Sequence, residues 1–115
     1  MEIKVIFHID EVRKWELLLK NIMNLMQAVN IENSNIEVLA NSEAVKFYDL
    51  NNNSDIAIKS IESLSKKGIK FAACNNALNS YNIKKENMVS SIEIVPVGVL
   101  ELINKQKKGY AYIKP

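Results

Sequence analysis

Short apolar runs alternate with longer amphipathic segments along almost the whole chain, and this alternation is the feature that most restricts the fold. The runs are rich in β-branched residues and are predicted as five strands: residues 3–9, 36–40, a run from 69 to about Cys74, 92–95 and 110–113. Lys-Lys-Gly at 66–68 and again at 107–109 is typical of a helix end, since lysine suits the negative end and glycine the left-handed residue that follows. Such alternation predicts an α/β fold with a mainly parallel sheet, right-handed crossovers and helices on both faces.

The segments between the strands carry helix signals. Apolar residues recur at three- and four-residue steps over residues 12–29, and Asp10 is the expected N-cap of this helix. A short helix is expected within residues 43–50, and another after the loop that ends at Ser54. Pro96 is expected in the first turn of the last helix, where its missing N–H costs nothing.

Length and charge limit the kind of protein. With 115 residues, one domain spanning residues 1–115 is expected, because a second core would leave too few residues for either half. The net charge of +2 comes from 15 basic and 13 acidic residues that are mostly interspersed, so neither a nucleic acid nor a membrane is an expected partner. No apolar run approaches the roughly 20 residues that span a bilayer, and the chain does not start like a signal peptide. A single cysteine cannot form an internal disulfide, which agrees with a cytoplasmic location.

Polar side chains follow the ends of the predicted strands. In a parallel α/β sheet these ends share one rim, and ligands bind beyond it. The residues predicted to share that rim and to form a candidate pocket are His8, Asp10, Asn41, Cys74, Asn75 and Asn76.

Most known catalytic patterns are absent from the sequence. There is no G-x-G-x-x-G or P-loop, and three glycines leave little material for a phosphate cradle. One cysteine and one histidine make a zinc site within one chain improbable on ligand number, and no nucleophile elbow is present. We therefore expect no cofactor and no metal, and the thiol of Cys74 is the remaining candidate for chemistry.

Each candidate residue also has a purely structural interpretation. A thiolate that faces a helix N-terminus is stabilised by unpaired N–H groups, but a free cysteine is also among the residues most often buried as a small hydrophobe. His8 is either an acid or base or a satisfied core residue. Asp10 is more readily explained as a helix cap, and Asn75 or Asn76 as the cap of the helix after Cys74.

Several segments together resemble the DsrE/DsrF-like family of small sulfur-relay proteins, and the resemblance covers nearly the whole chain. The two most specific segments are Gly68-Ile69-Lys70-Phe71-Ala72-Ala73-Cys74-Asn75-Asn76-Ala77-Leu78 and Gln106-Lys107-Lys108-Gly109-Tyr110-Ala111-Tyr112-Ile113-Lys114-Pro115. The others are Val5-Ile6-Phe7-His8-Ile9-Asp10, Lys14-Trp15-Glu16 with Asn21-Ile22, Val38-Leu39-Ala40-Asn41 with Glu43-Ala44-Val45, and Ile94-Val95-Pro96-Val97-Gly98-Val99.

The resemblance implies a three-layer α/β/α sandwich with a mainly parallel five-stranded sheet. It also implies a homotrimer or homohexamer with the cysteine near a subunit boundary. In family members with an established role the corresponding cysteine accepts and passes a persulfide sulfur, and this role carries over to Cys74 alone. The sequence departs from the family pattern at Ser42, where glycine is expected after the asparagine, and at Ala77, where threonine or serine is usual.

Three functions remain open from the sequence. The first is a sulfurtransferase or persulfide carrier, which needs sulfur donor and acceptor proteins because one cysteine cannot resolve a persulfide as an internal disulfide. The second is a non-catalytic oligomeric module that binds a small ligand or a protein while Cys74 only packs. The third is an oxidant sensor, since an exposed reactive thiol is the first to form a sulfenic acid.

Overall fold

Five strands form one sheet in which every pair of neighbours runs parallel. The computed structural model describes residues 2–115. The strands are β1 (Lys4–Ile9), β2 (Asn35–Ala40), β3 (Lys70–Cys74), β4 (Glu93–Val95) and β5 (Ala111–Ile113). Their order across the sheet is β4-β3-β2-β1-β5, so the first strand lies inside the sheet and the last at one edge. The predicted five strands are confirmed, and the sheet is parallel throughout.

Helices cover both faces of this sheet, as predicted. They are α1 (Trp15–Ala28), α2 (Asp55–Lys66), α3 (Asn75–Ser80) and α4 (Gly98–Lys107), with a 3₁₀ helix over Ser42–Tyr48 that begins one residue before the predicted segment 43–50. Side chains alternate along β1, so that Val5, Phe7 and Ile9 join the core with α1, whereas Ile6 joins the core with α4. Burial on both faces explains why the strands read as continuous apolar runs.

The core beneath α1, α2 and α3 is large and is organised around Trp15. This indole stacks on Phe47 at a centroid distance of 4.5 Å and meets Tyr48 edge to face at 5.3 Å. Its Nε1 donates to the carbonyl of Ala44 at 2.9 Å, and the Tyr48 hydroxyl donates to the carbonyl of Ala72 at 3.1 Å. Each buried polar group of these aromatic rings therefore has a partner, as burial requires.

The opposite core is small, because α4 alone covers that face. It consists of five buried side chains: Ile6, Leu39, Ala72, Val95 and Leu102. On its outer side α4 exposes apolar side chains, with Val99 at 57%, Leu100 at 51% and Ile103 at 45% of their surface.

Two predicted helix starts are wrong. Asp10 does not cap the first helix: the turn over Val12–Lys14 precedes α1, its N-cap is Glu11, and the Asp10 carboxylate instead accepts from Nζ of Lys114 at 3.1 Å. Pro96 does not lie in the first turn of α4, because Val97 is the N-cap and Gly98 the first helical residue. In both places two residues separate the strand from the helix, and the second of them, Glu11 or Val97, is extended.

Other predicted signals are confirmed. The Ser54 hydroxyl accepts from the backbone N–H of Ala57, which caps α2. Gly68 and Gly109 follow the two lysine-rich helix ends with φ of +105° and +91°, the left-handed conformation that glycine adopts without strain. Over residues 2–115, no helix has both the length and the apolar character needed to cross a membrane.

Candidate functional site

The rim at the carboxyl ends of the strands carries a continuous line of polar groups. Sheet order places the strand ends so that Tyr112 of β5, His8 of β1, Asn41 after β2 and Cys74 of β3 follow one another, with Gly98 of α4 beside the cysteine. Three of the six residues predicted to share a pocket, His8, Asn41 and Cys74, therefore lie along one line. The parallel register brings them together from positions far apart in the chain.

Cys74 occupies the junction between β3 and α3, of which it is the N-cap residue. The side chain is mostly buried, with 8% of the residue exposed. Its Sγ accepts a hydrogen bond from the backbone N–H of Gly98 at 3.3 Å. Gly98 is the first residue of α4, where an N–H has no partner inside its own helix. A fixed N–H donor stabilises a thiolate more than a thiol, because the bond to the ion is the stronger one.

Gly98 also permits the close approach of α4 to the rim. A Cβ at this position would lie 3.1 Å from Cβ of Cys74, 3.2 Å from Cδ1 of Leu39 and 3.4 Å from Cβ of Asn41. A larger residue would therefore push the helix start away from the sulfur. Spacing in the sequence does not single out Gly98, because its role depends on how closely α4 approaches the rim.

His8 is held from both sides of its ring. Nε2 lies 2.9 Å from Oδ1 of Asn41, and Nδ1 lies 2.6 Å from the hydroxyl of Tyr112. With Oδ1 of Asn41 facing the ring, Nε2 carries the proton, since an amide oxygen only accepts. The Tyr112 hydroxyl is the hydrogen-bond partner of Nδ1, and 40% of Tyr112 is exposed at the surface. Sequence reasoning missed Tyr112, because only the pairing of β5 with β1 brings it to His8.

The other three predicted pocket residues are not joined to this line by hydrogen bonds. Asp10 is paired with Lys114, and this contact raises the pKa of the Lys114 ammonium, first through the hydrogen bond that the ammonium donates to Asp10 and then through the charge of Asp10. Asn75 and Asn76 are the first residues of α3 and neither side chain caps it, so that prediction is wrong. The chain turns into the helix one residue earlier than predicted, at Cys74 itself.

The two departures from the family pattern have visible consequences. Ser42 has a φ of +48°, a left-handed conformation that favours glycine and costs other residues about 1 kcal/mol. Ala77 is buried in the core that contains Trp15 and Cys74, and it supplies no hydroxyl near the rim. The described part of the chain, residues 2–115, contains no group of three His, Cys, Asp or Glu side chains arranged to hold a metal ion.

Known proteins resemble the chain in both sequence and fold. The sequence profile of the DsrE/DsrF-like family matches residues 13–115. MTH1491 of Methanobacterium thermoautotrophicum, a protein of unknown function, is 30% identical, with a TM-score of 0.87 over 99% of this chain and 100% of that one. YchN of E. coli is 15% identical, with a TM-score of 0.76 and full coverage of both chains.

A third solved structure shares the fold at low sequence identity. BT1422 of Bacteroides thetaiotaomicron, also of unknown function, is 17% identical, with a TM-score of 0.73 over 97% of this chain and 94% of that one. No curated protein matches the chain. At 15% and 17% identity, YchN and BT1422 support the fold alone.

Proposed function

The chain belongs to the DsrE/DsrF-like family, and on that premise we propose that it is a cytoplasmic sulfur-relay protein whose Cys74 accepts a persulfide sulfur and passes it between protein partners. The observation that carries the proposal is the hydrogen bond from Gly98 N–H to Sγ of Cys74, at 3.3 Å. It supplies a fixed donor to the one thiol of the chain, on the rim where parallel α/β folds bind ligands.

The proposed transfer is a thiol exchange without net oxidation. The Cys74 thiolate attacks the outer sulfur of a donor persulfide, R–S–SH. A new S–S bond forms at Cys74 while the donor S–S bond breaks, and the donor leaves as the thiolate R–S⁻. The outer sulfur keeps its proton, so Cys74 becomes Cys–S–SH. An acceptor thiolate then repeats the same step on Cys74.

The Gly98 donor has a role in both half-reactions. It stabilises negative charge on Sγ before the attack on the donor, and again when Sγ becomes the leaving thiolate in transfer to the acceptor. The limited exposure of Cys74, 8%, favours delivery by a docked partner protein, since little of the residue faces open solvent.

The outer face of α4 supports the proposed assembly into a homotrimer or homohexamer. Val99, Leu100 and Ile103 are about half exposed on this helix. Exposed apolar side chains grouped on one face are typical of a surface that binds another protein. Because α4 begins at Gly98, such an interface would place a second subunit close to Cys74.

Mass spectrometry of the intact protein tests the proposed function. After incubation with a protein persulfide donor and removal of the donor, we expect the mass of exactly one added sulfur atom on the folded wild-type chain. Addition of a thiol reductant should remove it. Cys74→Ser should gain no mass under the same conditions, because serine cannot form a persulfide. A folded wild-type protein whose mass stays unchanged would contradict the proposal.

A binding module without thiol chemistry is the second candidate function, and the burial of Cys74 in the main hydrophobic core favours it. In that case Cys74 only packs, as free cysteines often do. The two candidates differ in their response to Cys74→Ser. Loss of sulfur loading with an unchanged subunit number supports the relay, whereas a wild-type chain that never loads sulfur supports the module.

A further inference from the structure

Five charged side chains are gathered between the sheet and α4, one turn and more away from the cysteine. They are Glu37 of β2, Lys70 of β3, Glu93 of β4, and Glu101 and Lys105 of α4. Lys70 Nζ lies 3.0 Å from Glu93 Oε2 and 3.5 Å from Glu37 Oε1, and Lys105 Nζ lies 3.4 Å from Glu37 Oε1. The proposed sulfur relay uses none of these groups.

The cluster holds more carboxyl groups than ammonium groups. Three carboxylates face two ammonium groups, and Glu37 is 2% exposed. Within residues 2–115, both oxygens of Glu37 and Oε2 of Glu101 are buried without a hydrogen-bond donor. An unpaired buried carboxylate oxygen is costly, and one proton held between the two carboxyl groups supplies the missing donor.

We propose that Glu37 and Glu101 share one proton beneath α4, and that loss of this proton loosens the N-terminal half of α4 from the sheet. The pair is thus a pH-sensitive device built into the contact between β2 and α4. The proposal does not depend on the sulfur chemistry of Cys74.

The electrostatic surroundings place the shared proton on Glu37. Burial, the largest cause, and the hydrogen bond with Glu101 raise the pKa of Glu37 to about 7, against the opposing effect of Lys70 and Lys105. The same hydrogen bond, together with the lysines Lys105, Lys70 and Lys108, lowers the pKa of Glu101. Tyr48, on the other face of the sheet, feels the charge of Glu37, and this adds to burial in raising the pKa of Tyr48.

Geometry connects this pair to the start of α4. Glu37, Leu39 and Asn41 alternate along β2 and its end, so their side chains lie on the α4 face. The space beside Gly98 is bounded by Leu39 and Asn41, and Glu101 lies three residues, about one helical turn, after Gly98. Ionisation of Glu37 replaces its hydrogen bond with Glu101 of α4 by repulsion between two carboxylates in a buried place, and the attraction of Lys70 and Lys105 offsets this only in part.

Carbon-13 NMR of the side-chain carboxyl groups tests the shared proton directly in the wild-type protein. We expect the Glu37 carboxyl to titrate with a midpoint near 7, and the amide resonance of Gly98 to shift with the same midpoint. Cys74→Ser removes any titration of the thiol itself from the Gly98 signal and should leave this midpoint in place. A Glu37 titration midpoint near the ordinary pKa of 4.5 would overturn the proposal. A Gly98 amide shift that does not change as Glu37 titrates would overturn it too.

Stability measured against pH provides a second readout. Because the folded chain holds the Glu37 proton more tightly than the unfolded chain, the contribution of Glu37 to stability is fully present below the unfolded pKa of 4.5 and is lost as pH rises toward about 7. The unfolding equilibrium constant should rise roughly tenfold per pH unit in that window from this one group. Glu37→Gln should remove this slope. Glu93→Gln, in the same cluster but 55% exposed at its side chain, should keep it.

Equal slopes for wild type and Glu37→Gln would contradict the proposal. Should Glu37→Gln fail to fold, the wild-type carboxyl titration decides the question alone. Neither measurement involves a persulfide, so a result that contradicts the shared proton leaves the proposed sulfur relay untouched.

Discussion

Gly98 both allows α4 to pack closely on the rim and donates its N–H to the thiol of Cys74. Gly98→Ala would bring a Cβ to 3.1 Å from Cβ of Cys74 and 3.2 Å from Leu39, closer than ordinary contacts allow. The two sides of this contact must then separate by a few tenths of an ångström, and we expect this to lengthen the bond from N–H to Sγ. We expect alkylation of Cys74 by iodoacetamide near neutral pH to slow several-fold, with a loss of about 1–3 kcal/mol in the free energy of unfolding.

Gly109→Ala is the matched control for that substitution. Gly109 has a φ of +91° and no neighbouring atom within 4 Å of a Cβ, so the added methyl strains the backbone without meeting the site. It should cost about 1 kcal/mol of stability and leave the alkylation rate of Cys74 unchanged. Equal alkylation rates for wild type and Gly98→Ala would show that the Gly98 donor does not govern the thiol.

The sequence was sufficient to predict part of the site residue by residue. Strand ends are marked by apolar runs that stop, so His8, Asn41 and Cys74 could be assigned to one rim. Tyr112 and Gly98 could not, because their roles depend on the pairing of β5 with β1 and on how closely α4 approaches. Asp10 was misassigned for a similar reason: its partner Lys114 lies 104 residues away, and no local pattern reveals it.

At the scale of elements, prediction succeeded where local physics decides and failed at helix starts. Both faces of the strands are buried, so their apolar runs identified all five. The helix ends at Gly68 and Gly109 were predicted correctly because glycine adopts the left-handed conformation there without strain. Starts were harder, since Glu11 and Cys74 are N-cap residues whose side chains make no capping bond.

The junction between β2 and the 3₁₀ helix over Ser42–Tyr48 is strained at its first residue. Ser42 has a φ of +48°, and glycine adopts this conformation without a Cβ clash. We expect Ser42→Gly to raise the free energy of unfolding by about 0.5 kcal/mol, the relief of strain being partly offset by the greater freedom of glycine in the unfolded chain. Chemical denaturation followed by circular dichroism measures the change.

Asn82→Gly provides the comparison for Ser42. Asn82 has a similar φ of +54°, but asparagine tolerates the left-handed conformation better than serine does. Its replacement should therefore change stability less than Ser42→Gly. A destabilised Ser42→Gly would show that the serine makes a compensating interaction in the folded protein.

At the scale of the whole molecule, the two faces of the sheet are covered unequally. Three helices and a core centred on Trp15 lie on one side, whereas α4 and five buried side chains lie on the other. The thinner side carries the Glu37 pair, the exposed apolar side chains of α4, and Gly98, whose N–H donates to Sγ of Cys74. A second subunit bound to this face would therefore lie close to both the thiol and the carboxyl pair.

Leu100→Glu tests whether α4 is the proposed interface between copies of the chain. The side chain is 51% exposed in the single chain, so a carboxylate there should not disturb the fold, but burying it against a second subunit would leave a charge without a partner. We expect native mass spectrometry to show a trimer or hexamer for wild type and a monomer for Leu100→Glu, with unchanged circular dichroism. Ile56→Glu places the same charge on α2, at a residue 80% exposed on the opposite side of the sheet, and should keep the wild-type subunit number. A monomeric wild type would contradict the proposed assembly, and an assembly lost only in Ile56→Glu would place the interface on α2, away from the thiol.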